Sequence, residues 1–234
     1  MISGFEIRDE IGSAEPCRLF RALRERDGAA VLLKTCDPGN DFGRIALGRE
    51  FEILRTLSGA RVLHVVDLLD QHHRPVLVLQ DPGGYPLLAA LLTRELPIAE
   101  SLQIAAAVAQ ILAELDEREV VHNDLGPHSI WLDESRSDVW LLHFARATCP
   151  GVSPCAARRH PDSTLAYGSP EQTGRTNRRP DYRTDFYSLG VVLYRLLTGV
   201  LPFSSDNPIE LVHAQVATQA LSPEIGRASC RERV

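Results

Sequence analysis

The character of the chain changes at Asp81-Pro82-Gly83-Gly84, and that break constrains the fold more than any other feature. Before it, Phe5 to Ile11, Cys17 to Leu23 and Ala29 to Thr35 are short apolar or alternating runs, punctuated by Gly12-Ser13 and Asp27-Gly28. Alternation closed by Asp-Gly turn chemistry predicts an antiparallel meander. Val62 to Leu69 and Val76 to Leu79 extend it. One helix interrupts: Ile45 to Leu57 carries Leu47, Phe51 and Leu54 at helical spacing, with Glu50 within about 60° of that stripe and Glu52 facing away.

After the break the spacing is helical. Pro97 can open a helix through about Glu119, with Leu102, Ala105, Val108, Leu112 and Leu115 on one face. A second, Asp185 to Leu197, would bury Phe186, Leu189, Leu193 and Leu196, and a third, Pro208 to Ala217, is short and amphipathic. The expectation is an α+β chain in two lobes: a sheet-based lobe with one helix over residues 1–80 and a mainly helical lobe over 81–223.

Composition narrows the function classes. With 44% apolar and 24% charged residues the chain can bury a core, which excludes a disordered tract. A net charge of −6, and no basic run longer than the cluster Arg175, Arg178, Arg179, argue against a nucleic-acid or anionic-membrane surface. No apolar run reads as a membrane segment and the N-terminus has no basic-then-apolar leader, so a cytoplasmic location is expected. The cysteines at 17, 36, 149, 155 and 230 show neither a disulfide framework nor paired zinc spacing, and are read as reduced thiols. Pro150 to Pro161, rich in proline, reads as a mobile loop. The last ten residues, Ile225 to Val234, can be encoded by a run matching a common short-read sequencing adapter, and are set aside from the fold.

Five landmarks then follow in order: Lys34 ending a third strand, Glu50 on the helix, His122-Asn123-Asp124, His143-Phe144-Ala145, and Ser169-Pro170-Glu171. This ordered set resembles the protein kinase family over residues 5 to 218. The match is closest at Thr164 to Arg175 and at Asp185-Phe186-Tyr187-Ser188-Leu189-Gly190, which look like the N-terminal serine/threonine kinase domain of large bacterial proteins. In those proteins the chain continues into an ATPase module and a sensor histidine kinase, which makes these modules the expected partners. The resemblance also implies that the helical lobe lacks its last helices and that Glu171 is left without its usual arginine.

By that resemblance Lys34 would hold the α- and β-phosphates of ATP, Glu50 would fix Lys34, and Asp124 would accept the substrate hydroxyl proton. Asp185 would orient the catalytic loop, and His122 would be a hydrogen-bonded structural histidine. Gly12 and Ala14 would belong to the loop over the nucleotide, although Ala14 and Cys17 stand where the family places glycines.

The metal positions depart from the pattern. Ser129 stands where relatives place Asn, and His143 where they place Asp, and those two side chains hold the metal ions. Mg²⁺ prefers oxygen ligands in near-octahedral geometry, so neither replacement serves it well. A protonated His143 would offer a phosphate a cation instead. Gly126 removes a polar catalytic-loop side chain, and Asn123 replaces the arginine that pairs with a phosphorylated activation loop. Three functions are compatible: a pseudokinase regulatory module of a signalling protein, with weak ATP binding and poor Mg²⁺ binding; a residual serine/threonine kinase; and a nucleotide-free scaffold.

Overall fold

The computed structural model describes residues 2–14, 17–133, 138–153, 164–176 and 178–223. The adapter-like tail and most of the Pro150 to Pro161 segment lie outside them.

The first lobe is an antiparallel sheet in the order β1-β2-β3-β5-β4, formed by β1 (Phe5–Ala14), β2 (Cys17–Arg24), β3 (Ala30–Cys36), β4 (Val65–Gln71) and β5 (Arg74–Gln80). Asp27-Gly28 makes the predicted β2–β3 turn. Gly28 takes φ 69°, and the Asp27 carboxylate accepts from Ala29 N at 3.2 Å and from Arg24. Gly12-Ser13 does not end β1, as the alternation had suggested; the strand continues to Ala14 through an irregularity between Glu10 and Gly12.

Alternation sorts β3 between two clusters. Val31 and Leu33 pack with Phe5, Val76 and Val78 on the outer face. Leu32 and Cys36 join Leu47, Leu77 and Leu79 on the face toward helix α1 (Asp41–Thr56), and Lys34 lies in register between them. Each fully buried leucine or valine here contributes about 1.5–3 kcal/mol. Helix α1 starts four residues before the predicted Ile45 because Asn40 caps it, accepting from Gly43 N at 2.8 Å.

Cys17 and Cys36 pair directly across β2 and β3 and are disulfide-bonded, which corrects the reduced-thiol expectation for these two. Cys149 is free and buried.

The Asp81–Gly84 connection is strapped from both sides. Arg21 donates to Asp81 at 2.6 Å and to Gly84 O at 2.7 Å, and Trp131 Nε1 donates to Gly83 O at 2.6 Å. Gly84, at φ 82°, passes so close to the Leu132 carbonyl that no side chain would fit.

Beyond it stand helices α2 (Leu87–Thr93), α3 (Ile98–Asp116), α4 (Tyr182–Thr198) and α5 (Pro208–Ala217). A small sheet joins β6 (Tyr85–Pro86), β7 (Ile130–Leu132) and β8 (Val139–Leu141). Helix α5 has the predicted bounds. Helix α3 buries Ile104, Val108, Ile111, Leu112 and Leu115 while Leu102 is exposed, because the true stripe runs through Ile104 and Ile111. By length and composition α3 would also suffice to cross a membrane, which corrects the expectation that no apolar run reads as a membrane segment; its buried face belongs to the lobe core. On α4, Leu189 and Leu196 are buried but Phe186 is exposed, edge-on to Tyr182.

Candidate functional site

One rung of the sheet, Gly12–Leu19–Lys34–Leu77, carries the site into the interlobe cleft. Lys34 Nζ lies 2.6 Å from Glu50 Oε2, and both side chains are buried. The other Glu50 oxygen accepts from Phe144 N at 3.3 Å, so one carboxylate joins β3, α1 and the His143-Phe144-Ala145 segment. An ion pair this dry is held by its geometry, because loss of either partner would strand a buried charge.

After α3 the chain enters the loop containing Asp124. The Asp185 carboxylate accepts from His122 N at 2.6 Å and from Asn123 N at 2.9 Å, as the family resemblance implied. Burial pushes Asp185 up to about 7, against the pull of those two backbone donors. His122 donates from Nε2 to Leu142 O at 2.9 Å and accepts at Nδ1 from Asp124 N at 3.2 Å, which fixes its tautomer. Burial lowers it to about 4, so it is a neutral structural group, edge-on to Phe144 with ring centroids 4.6 Å apart.

His143 sits in the left-handed region at φ 71°, ψ 50°. Its Nδ1 is 2.7 Å from Lys34 Nζ. An ammonium has only protons to give, so Nδ1 is the acceptor and the ring is neutral. Burial first, and the Lys34 charge second, hold its pKa well below the ordinary 6.5. The expectation that a protonated His143 could meet a phosphate is therefore overturned.

Ser129 does not face the cleft. Its hydroxyl accepts from Gly126 N and donates to Gly126 O, both at 3.0 Å, and the residue is fully buried. Among the described residues no group of three His, Cys, Asp or Glu side chains could hold a metal ion. With Ser129 turned inward and His143 committed to Lys34, the donor set does not fit Mg²⁺. Lys34 Nζ is buried and shared between Glu50 and His143. Gly12 and Ala14 lie in β1 opposite Leu19 and Cys17, and Gly12 does not use a positive φ.

Sequence reasoning missed three participants. His128 stacks on His143 with ring centroids 5.8 Å apart, and its Nε2 is 3.8 Å from Asp124 Oδ2. A Cβ at Gly126 would come within 2.8 Å of the His128 ring, so the glycine read as a lost catalytic side chain also makes room for this histidine. The four-residue spacing of Asp124 and His128 was the available signal. Arg49, buried on α1, donates to Ala145 O at 3.1 Å and Ala147 O at 2.7 Å. Gln172 Nε2 donates to Asn123 O at 2.7 Å.

Asn123 itself, at φ 62°, donates to Thr148 Oγ1 at 3.0 Å and approaches Val121 O and Arg146 O at 3.2 and 3.4 Å. Neutral hydrogen bonds thus tie this loop to the segment after His143. Glu171, expected to lack a partner, accepts from Thr184 Oγ1 at 3.1 Å.

Over residues 5–231 the chain matches the family described as the protein kinase domain. It is 30% identical over 177 residues to a Clostridium perfringens protein named as a probable serine/threonine-protein kinase, an overlap of 75% of this chain and 25% of that protein. With the serine/threonine-protein kinase pkn2 of Myxococcus xanthus it shares 28% over 176 residues, 72% of this chain and 21% of the relative. With PknL of Mycobacterium tuberculosis, also a serine/threonine-protein kinase, it shares 28% over 231 residues, 97% of this chain and 56% of the relative. The chain thus spans between 21% and 56% of the lengths of these relatives.

Proposed function

The chain belongs to the protein kinase family, and on that premise we propose that it is a pseudokinase: a regulatory domain that takes ATP weakly and lacks an effective Mg²⁺ site. The observation that carries this reading is the 2.7 Å contact between Lys34 Nζ and a neutral His143 Nδ1. Where relatives offer the metal a carboxylate, this chain offers an imidazole whose facing lone pair is already taken. In an active kinase the metal neutralises charge developing on the transferred phosphoryl group, worth several kcal/mol. Without it, turnover should fall by roughly three decades or more.

In this domain Lys34 would reach the phosphates, while Glu50 fixes Lys34 and ties it to α1. Asp124 would orient a hydroxyl, and Asp185 fixes the loop that carries it. The output would pass through the lobe surfaces to neighbouring modules, for which the ATPase and sensor histidine kinase of the hybrid bacterial proteins are the proposed partners, at a cytoplasmic location.

A melting series with ATP, with and without Mg²⁺ or Mn²⁺, tests the proposal, because a ligand stabilises the folded state by RT ln(1 + [L]/Kd). A shift that is the same with and without metal is expected. A shift that requires metal would overturn the reading. The double change Ser129→Asn with His143→Asp should then make the shift metal-dependent.

A second reading, a residual serine/threonine kinase, is favoured by the intact Lys34–Glu50 pair and by Asp124 on its Asp185-held loop. Labelled phosphate transfer that disappears in Asp124→Asn would establish it. Equal signal in that variant would exclude it.

A further inference from the structure

A pair of sulfurs beside the phosphate-handling residues marks a second site. Cys17 opens β2 where the family's covering loop has its last glycine, and Cys36 closes β3 two residues beyond Lys34. The two are direct register partners, bonded through sulfur with Cα atoms 4.3 Å apart, and both are buried. Ala14 of β1 continues the same rung. Their face of the sheet is the one against α1. A Cβ at Gly43 would collide with Cys36 Sγ and Cβ, so the Cys36 sulfur lies directly against the first turn of the helix that carries Arg49 and Glu50.

We propose that Cys17 and Cys36 are a reversible covalent modification site, closed by small-molecule disulfides and opened by small thiols, whose closure locks the covering hairpin to β3 and steadies the start of α1. Both residues stand at strand ends, where local opening is least costly and brings buried sulfurs to solvent. One cysteine thiolate attacks a low-molecular-weight disulfide, forming a mixed disulfide and expelling one small thiolate. The second cysteine thiolate then attacks the protein sulfur of that mixed disulfide, forming the Cys17–Cys36 bond and expelling the other small thiolate. Two electrons pass from the dithiol to the small disulfide, and the two protons released by the cysteines end on the two small thiols. Disulfides inside cells are more often transient and sensing than structural, which suits a pair next to a ligand cleft. Cys149 lies elsewhere, 3.7 Å from Thr56 Oγ1, and takes no part.

That the hairpin covers a nucleotide rests on the function proposed above; the cross-link does not. The full chain is equilibrated in glutathione buffers from reducing to oxidising, quenched in acid, alkylated and digested. A peptide joining Cys17 to Cys36 should appear at the oxidising end and vanish at the reducing end, and Cys17→Ser and Cys36→Ser should each abolish it. The oxidised form should melt about 5–10 °C higher, as expected for closing a loop of this length. Amide exchange across residues 41–50 should slow on oxidation without nucleotide present. Absence of the joined peptide at every ratio, or its formation with unchanged exchange across 41–50, overturns the proposal. An ATP-induced melting shift missing from both redox forms overturns the nucleotide reading of the cleft instead, since mass and exchange report the cross-link without nucleotide.

Discussion

Replacing His143 by Gln should change the pH dependence of stability by about one proton, a direct test of whether the imidazole is a neutral acceptor for Lys34. Three buried groups set the expectation. His143 and His122 have folded pKa values below the ordinary 6.5. Each is therefore neutral when folded and protonated when unfolded, so the stability it contributes is present above pH 6.5 and is lost as the pH falls. Asp185 runs the other way. Its folded value is raised from 3.8 to about 7, so the stability linked to it is full at low pH and is lost as pH rises toward 7. Between about pH 5 and 6 unfolding takes up two protons at the histidines and releases one from Asp185, a net uptake of one. These groups should make stability rise by about 1.4 kcal/mol per pH unit across that window. Gln keeps an oxygen for the Lys34 ammonium but does not titrate, so the variant should lose that slope. Asp185→Asn should add a second proton, bringing the slope to about 2.7 kcal/mol per unit. Urea unfolding at several pH values measures each slope against the wild type, so contributions from surface carboxylates cancel in the comparison. An unchanged slope in His143→Gln would refute the neutral imidazole, and with it the account of the Lys34 contact.

Glu50→Ala strands the Lys34 ammonium and removes the acceptor for Phe144 N, and should cost about 3–5 kcal/mol by denaturant unfolding. The double replacement Lys34→Met with Glu50→Leu should recover most of that loss, because it removes both charges together. Gly84→Ala drives a Cβ into the Leu132 carbonyl from a positive φ and should cost on the order of 3 kcal/mol or more. Gly59→Ala, at φ 83° but facing open space, should cost only about 1 kcal/mol by the same assay. Arg49→Met removes the donors to Ala145 O and Ala147 O and should lower stability by about 1.5–3 kcal/mol, with faster amide exchange in residues 145–153.

Where one pattern dominated, the sequence was enough to place the elements. The alternation of β3, the Asp27-Gly28 turn and the bounds of α5 all follow from local chemistry, and Glu50 was placed inward by helical spacing alone. The departures have particular causes. Strands β7 and β8 are three residues each, too short to show a period. The stripe of α3 was drawn through Leu102 because several apolar residues compete for it, and only packing against α4 decides between them. Asn40 was the unrecognised cap that lengthens α1. At the site, residue identity announced that the metal positions were altered but not where the replacements point. That Ser129 closes its own turn and that His143 accepts a hydrogen bond from Lys34 are facts of orientation. His128 and Arg49 were passed over because a lone histidine and a helix arginine ordinarily face solvent, and the Cys17–Cys36 pairing depends on strand register.

The strapped connection between the lobes bears on how such a domain could signal. A slack linker lets two bodies move independently and transmits little force until it is drawn taut. Here Asp81, buried beneath Arg21, and Gly83, held by Trp131, join the second strand of one lobe to the small sheet of the other within a few residues of chain. A push on β2, which Cys17 opens, therefore has a short route through Arg21 to the small sheet of the helical lobe. With the connection held at both ends, displacing either end should move the other.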